Sequence, residues 1–234
     1  MQEVILSKGV LMYAAWKKSD LMDYGKAQRE RRMLYSRTDE VLYDMCRKWS
    51  NHRDLSIVQA KVRIIGRVYA AGVERKGEKD KTKGIYETVA KILQKKQTWI
   101  DSEINELNRF KSLSIQSYER ILRLHGYIVR LLKKGTKSKL NFRSFVSKYL
   151  HFHVPIVPLF DSVASNIINR SDWYPWKKSK AHILIPMRRE YDPVYYKFFQ
   201  QFLLYFSDLK EKKLKPKVRD ADWYLIWSAY EYYD

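Results

Sequence analysis

The sequence predicts an all-α fold. Glycine and proline are scarce, with 8 and 6 copies in 234 residues, so long stretches run without a helix breaker. Apolar residues recur at helical spacing in Val58, Val62, Ile65, Val68 and Tyr69, and again in Ile115, Tyr118, Ile121, Leu122, Ile128, Val129 and Leu132. No series of short alternating strands interrupts them.

This patterning places helices near 10–24, 39–50, 56–74, 84–99, 101–111, 114–134, 141–152, 161–170, 192–208 and 220–231. Thr38 or Asp39, Ser56, Ser114, Asn141 and Asp161 read as N-caps, because their side chains can accept first-turn N–H groups. Gly135, after Arg130, Lys133 and Lys134, reads as a helix end. Residues 75–83 read as a charged loop, and 171–191, with Pro175 and Pro186, as an irregular connection.

Composition narrows the partners. Lys and Arg number 46 against 26 Asp and Glu, a formal net charge of +20. Cations set against phosphates release condensed counterions, so nucleic acid is the expected partner. Aromatic residues make up 15% of the chain and can fill a core or stack on bases. No apolar run approaches the ~18 residues of a membrane span, and no signal peptide is read, so no membrane partner is expected. Cys46 is the single cysteine, which rules out an internal disulfide and a cysteine-rich metal site. Cytoplasmic localisation is the expectation. Flanked by Val41, Leu42, Met45 and Trp49, Cys46 reads as a core thiol.

Residues 120–148 carry the densest charge. They hold nine Lys or Arg (Arg120, Arg123, Arg130, Lys133, Lys134, Lys137, Lys139, Arg143 and Lys148) and no acid. A solvated face is the bland explanation; the absence of acids favours a phosphate track. Phe145, Tyr149 and Phe152 share a helical face with Lys148 beside them. A lysine there must snorkel, pair with an acid or give up its proton. Asp161 follows Pro155 and Pro158, and could be only a cap. His151 and His153 alternate and so do not share a face; no metal and no cofactor are expected.

Lys148 and the segment Pro158-Leu159-Phe160-Asp161 resemble the catalytic region of helix-hairpin-helix DNA glycosylases. In bifunctional members a lysine precedes a proline-containing segment that delivers a catalytic aspartate at the next helix. Here the two lie 13 residues apart, and no glycine follows Gly135, so the hairpin at Leu140–Ser144 is remodelled. Two further stretches, Lys61–Arg75 (with Ile65-Gly66-Arg67-Val68-Tyr69-Ala70) and Ser147–Asp161, together with Asp222–Trp227, resemble a bacterial group of the same type. Gly66 and Gly72 could equally serve close helix packing, and Arg67 and Arg75 could equally pair with Glu74 or Asp222.

The resemblance implies one chain of two helical lobes with a cleft, 53–160 forming one and 1–52 with 161–234 the other. It implies a glycosylase that extrudes a modified base from double-stranded DNA and leaves an abasic site, with Asp161 as catalytic carboxylate. Lys148 would be the nucleophile if strand cleavage follows. Arg67, Arg75, Lys133, Lys134, Lys137, Lys139, Arg143, Lys177 and Lys178 would contact DNA, and Tyr69, Tyr149, Trp173 and Trp176 would line the base pocket. Oxidised or alkylated bases and the hypermodified cytosines of phage DNA all fit, the last in antiviral defence. A monomer is the expected state. The alternative is a non-catalytic DNA- or RNA-binding protein in which Asp161 is only a cap.

Overall fold

The computed structural model describes residues 18–69, 71, 73, 82–137, 141–169, 185–211 and 214–231. These residues form ten α-helices and no strand: α1 (Lys18–Leu34), α2 (Ser36–Lys48), α3 (Leu55–Val68), α4 (Thr82–Lys95), α5 (Gln97–Leu107), α6 (Ile115–Thr136), α7 (Arg143–His153), α8 (Ser162–Asn169), α9 (Pro193–Glu211) and α10 (Val218–Glu231). The chain is all-α.

Local signals explain several boundaries. Ser114 opens α6 with a capping box: its hydroxyl accepts the Ser117 N–H at 3.3 Å, and its own N–H donates to the Ser117 hydroxyl at 2.7 Å. Asp161 Oδ1 accepts the Val163 N–H at 2.9 Å as α8 begins, whereas the N-cap of α7 is Phe142 and Asn141, expected there, makes a turn one residue earlier, its Oδ1 accepting the Arg143 N–H at 2.8 Å. Other expectations are corrected. The cap of α3 is Asp54, which accepts the N–H groups of Ser56 and Ile57, so Ser56 is inside the turn. Helix α2 starts at Ser36, which places Thr38 and Asp39 within it. Gly135 does not end α6; the left-handed Lys137 (φ 54°) does. A Cβ at Gly135 would lie 2.5 Å from the Ile92 side chain of α4, so glycine there permits close helix packing.

Helix α7 is buried from Phe145 to His153 and packs against α2, α3 and α6. Helix α6 also contacts α4 and α5, while α10 lies against α1, α8 and α9. After His153 the chain reverses through a turn in which the Val157 N–H donates to the Val154 carbonyl at 3.0 Å. It then returns beside α7, where the Phe160 N–H donates to Ser147 Oγ at 2.9 Å. The Tyr195 hydroxyl fixes this returning segment by donating to the Pro158 carbonyl at 2.7 Å. The segment before α9 crosses α6 at Gly126, where a Cβ would fall 2.3 Å from the Glu190 carbonyl oxygen; only glycine admits that crossing. Among the described residues no helix is long and apolar enough to cross a membrane.

Candidate active site

The reversal after α7 sets a register. Ser147 meets Phe160, and the longer side chain of Lys148 reaches Asp161. Lys148 Nζ donates to Asp161 Oδ2 at 3.0 Å and to the Tyr69 carbonyl at 2.9 Å. Lys148 is buried, whereas the Asp161 side chain keeps 27% of its exposure. The ammonium is therefore held from inside by a carboxylate that can be reached from outside. Asp161 divides its oxygens: Oδ1 caps α8 and Oδ2 takes the ammonium.

Behind this pair is a buried charge network drawn from α2, α3 and α10. Arg219 donates through Nε to Asp39 Oδ2 at 3.0 Å, through Nη1 to Asp222 Oδ2, and through Nη2 to the Tyr69 hydroxyl at 3.4 Å. The Tyr69 hydroxyl donates to Asp39 Oδ1. The Arg219 guanidinium also lies over the Tyr69 ring, 5.3 Å from its centre. Arg31 of α1 adds ion pairs to Asp39 and Asp220. Tyr69 thus joins the two groups, its carbonyl on Lys148 and its ring and hydroxyl on Arg219. Asp222 is fully buried, and its Oδ1 has no hydrogen-bond partner. Burial pushes its carboxyl up to about 6; Arg219 and Lys148 oppose the shift and Asp161 adds to it.

A second polar cluster lies on the neighbouring face of α7, reached through Tyr149 and His153. His52 Nδ1 donates to Asp101 and its Nε2 accepts from the Tyr149 hydroxyl at 2.9 Å. Lys61, fully buried, donates to the Asn51 carbonyl at 3.2 Å. Burial lowers the basicity of His52, His153 and Lys61 and pushes the Cys46 thiol up to about 12. Cys46 is thus the core thiol expected of it. His151 is also buried: its Nδ1 donates to the Val157 carbonyl at 2.7 Å, so its Nε2 accepts from the Tyr43 hydroxyl. Among the described residues no group of acids, histidines and cysteine is arranged to hold a metal.

Other expected site residues are scattered. Tyr149 is in the core with its hydroxyl on His52, so it presents no face to a base. Arg143 is bound to Asp192 through Nε at 2.5 Å and Nη2 at 2.9 Å, which makes it a structural pair and not a phosphate contact. The charge run also breaks up in space. Arg120 and Arg123 pair with Glu103, and Arg130 donates to the Glu190 carbonyl. Lys133, Lys134 and Lys137 are exposed at the end of α6. Arg67 is exposed near the end of α3, with its guanidinium 6.0 Å from the Tyr86 ring centre; the partner of Asp222 is Arg219. Arg75, Lys139, Lys177, Lys178, Trp173, Trp176 and Gly72 lie outside the described residues.

Sequence reasoning missed the roles of Arg219 and Asp39. Arg219 and Asp222 stand three apart on α10, an intrahelical pair visible in the sequence. Asp39 gave no such signal, since its buried partner Arg219 is 180 residues away. No protein-family model, no curated protein and no solved structure matches this chain.

Proposed function

We propose that the protein is a DNA glycosylase in which Lys148 and Asp161 carry the chemistry. The observation behind this reading is the buried ammonium of Lys148, 3.0 Å from a carboxylate that is partly open to solvent. Cleavage of an N-glycosidic bond gives the sugar oxocarbenium character, which an adjacent carboxylate stabilises electrostatically. Asp161 supplies that charge. Lys148, once deprotonated, is an amine able to attack C1′ and form a Schiff base; if water attacks instead, an abasic site remains. Lys133, Lys134 and Lys137 are exposed cations at the end of α6, where phosphates can reach them. The resemblance to the helix-hairpin-helix glycosylases supports the same assignment, including a duplex DNA substrate with a modified base such as the hypermodified cytosine of phage DNA.

A second reading has its own observation. Asp161 Oδ1 caps α8, so the residue has a structural task whatever else it does. In a non-catalytic nucleic-acid-binding protein that task would be the whole of it. The deciding experiment measures abasic sites in a panel of genomic DNAs, phage DNA with modified cytosines included, without added metal. Wild type should form them and Asp161→Asn should not, because the amide keeps the cap but loses the charge. Borohydride should trap wild type on DNA and leave Lys148→Met free. Salt-sensitive binding without abasic sites on any DNA would favour the second reading.

A further inference from the structure

We propose that Asp222 holds the proton that Lys148 must release before its amine can attack, and later returns it to the lysine. This rests on the glycosylase reading above. Three cations, Arg31, Lys148 and Arg219, face four carboxylates, Asp39, Asp161, Asp220 and Asp222. The cluster therefore has one negative charge in excess, and a proton neutralises it best on the carboxylate with the least support. Asp161 has both oxygens engaged and is partly exposed. Asp39 accepts from Arg219, Arg31 and the Tyr69 hydroxyl. Asp222 has only its share of Arg219, and its Oδ1 is buried with no hydrogen bond. The charged or titratable groups around it are Arg219 from α10, Lys148 from α7, Asp161 at the head of α8, Asp39 and Tyr43 from α2, Arg31 from α1 and Tyr205 from α9.

The assignment separates two carboxylates by environment: the accessible one faces the substrate and the buried one carries protons. The Lys148 ammonium gives one proton to the Asp222 carboxylate, through a bridging water since the two are not directly bonded. The amine lone pair then forms the N–C1′ bond as the C1′–base bond breaks, with that electron pair leaving on the base. The base anion takes its proton from water, the hydroxide left behind releases the sugar from the lysine nitrogen, and the Asp222 carboxylic acid then returns its proton to the free amine and regains its charge. Asp222 acts through Lys148 and is a positioning residue.

The test is a titration of the side-chain carboxyl carbons by NMR, with Asp222→Asn identifying the Asp222 signal. That signal should titrate near pH 6. Lys148→Met should move its midpoint up, by removing a cation, and Asp161→Asn should move it down, by removing an anion. A midpoint in the ordinary carboxylate range that neither variant moves overturns the inference. In parallel, wild-type abasic-site formation should rise with pH through the same midpoint, and Asp222→Asn should lose that rise and run at least tenfold slower. Abasic sites formed by Asp222→Asn at the wild-type rate and pH profile also overturn it, while sparing the glycosylase reading. Opposed NMR shifts with no abasic sites on any DNA would sink the glycosylase reading and leave the coupled proton site standing.

Discussion

Lys61 and Lys148 are both buried lysines, on helices α3 and α7 that pack against each other. Lys148 has a carboxylate and a carbonyl. Lys61 has the Asn51 carbonyl, and no carboxylate among the described residues forms an ion pair with it. Burial removes both from water, but only Lys148 is compensated by charge. The difference shows why a buried lysine is not by itself a sign of chemistry. What marks Lys148 is the partly open carboxylate beside it and the charge network behind it.

The most severe way to break the comparison is to exchange the two roles. Lys148→Met should abolish borohydride trapping and lower the rate of abasic-site formation by on the order of a thousandfold or more. Lys61→Met should leave the rate unchanged. If the single-turnover rates respond in the same way, the distinction is wrong. Next in size is the network behind Lys148. Arg219→Met strands Asp222 as a buried carboxylate, takes one of the two cations from Asp39, and should cost about 3–5 kcal/mol in urea unfolding. Lys61→Met should instead be neutral or stabilising by about 1 kcal/mol, since a methionine buries the same stem without a charge.

The pH dependence of stability sharpens the contrast. On the Lys61 side, the folded-state basicities of His52 and His153 are lowered, so unfolding takes up protons below about pH 6.5. Their contribution is complete above that pH and is lost on acidification. Asp222 works in the opposite sense. Its folded value, about 6, lies above the unfolded one, so its contribution is present below about pH 4 and is lost as pH rises through 6. Removing Asp222 by substitution with asparagine should therefore make the melting temperature climb more steeply between pH 4 and 6. An unchanged slope would show that Asp222 titrates normally. The smallest effect belongs to Lys61 itself: its lowered basicity makes wild type gain stability as pH rises toward 10, and Lys61→Met should flatten that rise.

Much of the site could be read from α7 and the turn after it, because both partners fall within one short stretch and a lysine among aromatics is conspicuous. Helix α1 was less legible. It runs past Gly25 to Leu34, and its contacts with α10 are polar and aromatic more than a stripe of aliphatic residues. The Trp223 indole donates to the Ala27 carbonyl at 2.8 Å, the Trp227 indole to Glu30 at 2.8 Å, and Gln28 to the Asp220 carbonyl at 2.9 Å. Such contacts leave no apolar period. The run of cations misled for a related reason. Charge density along the chain says nothing about acids that arrive from elsewhere, and Glu103 and Asp192 arrive from α5 and the start of α9. The fold class survives such errors because it depends on many positions, whereas a site depends on a few.

The turn between His153 and Asp161 also acts as a ruler. Two adjacent residues of α7, Ser147 and Lys148, grip two adjacent residues of the returning chain, Phe160 and Asp161. One alanine inserted between Val154 and Leu159 would carry Asp161 past the lysine and bring Phe160 into its place. Length here is as much a part of the site as side-chain identity, and a protein engineer looking for a permissive insertion point should look elsewhere.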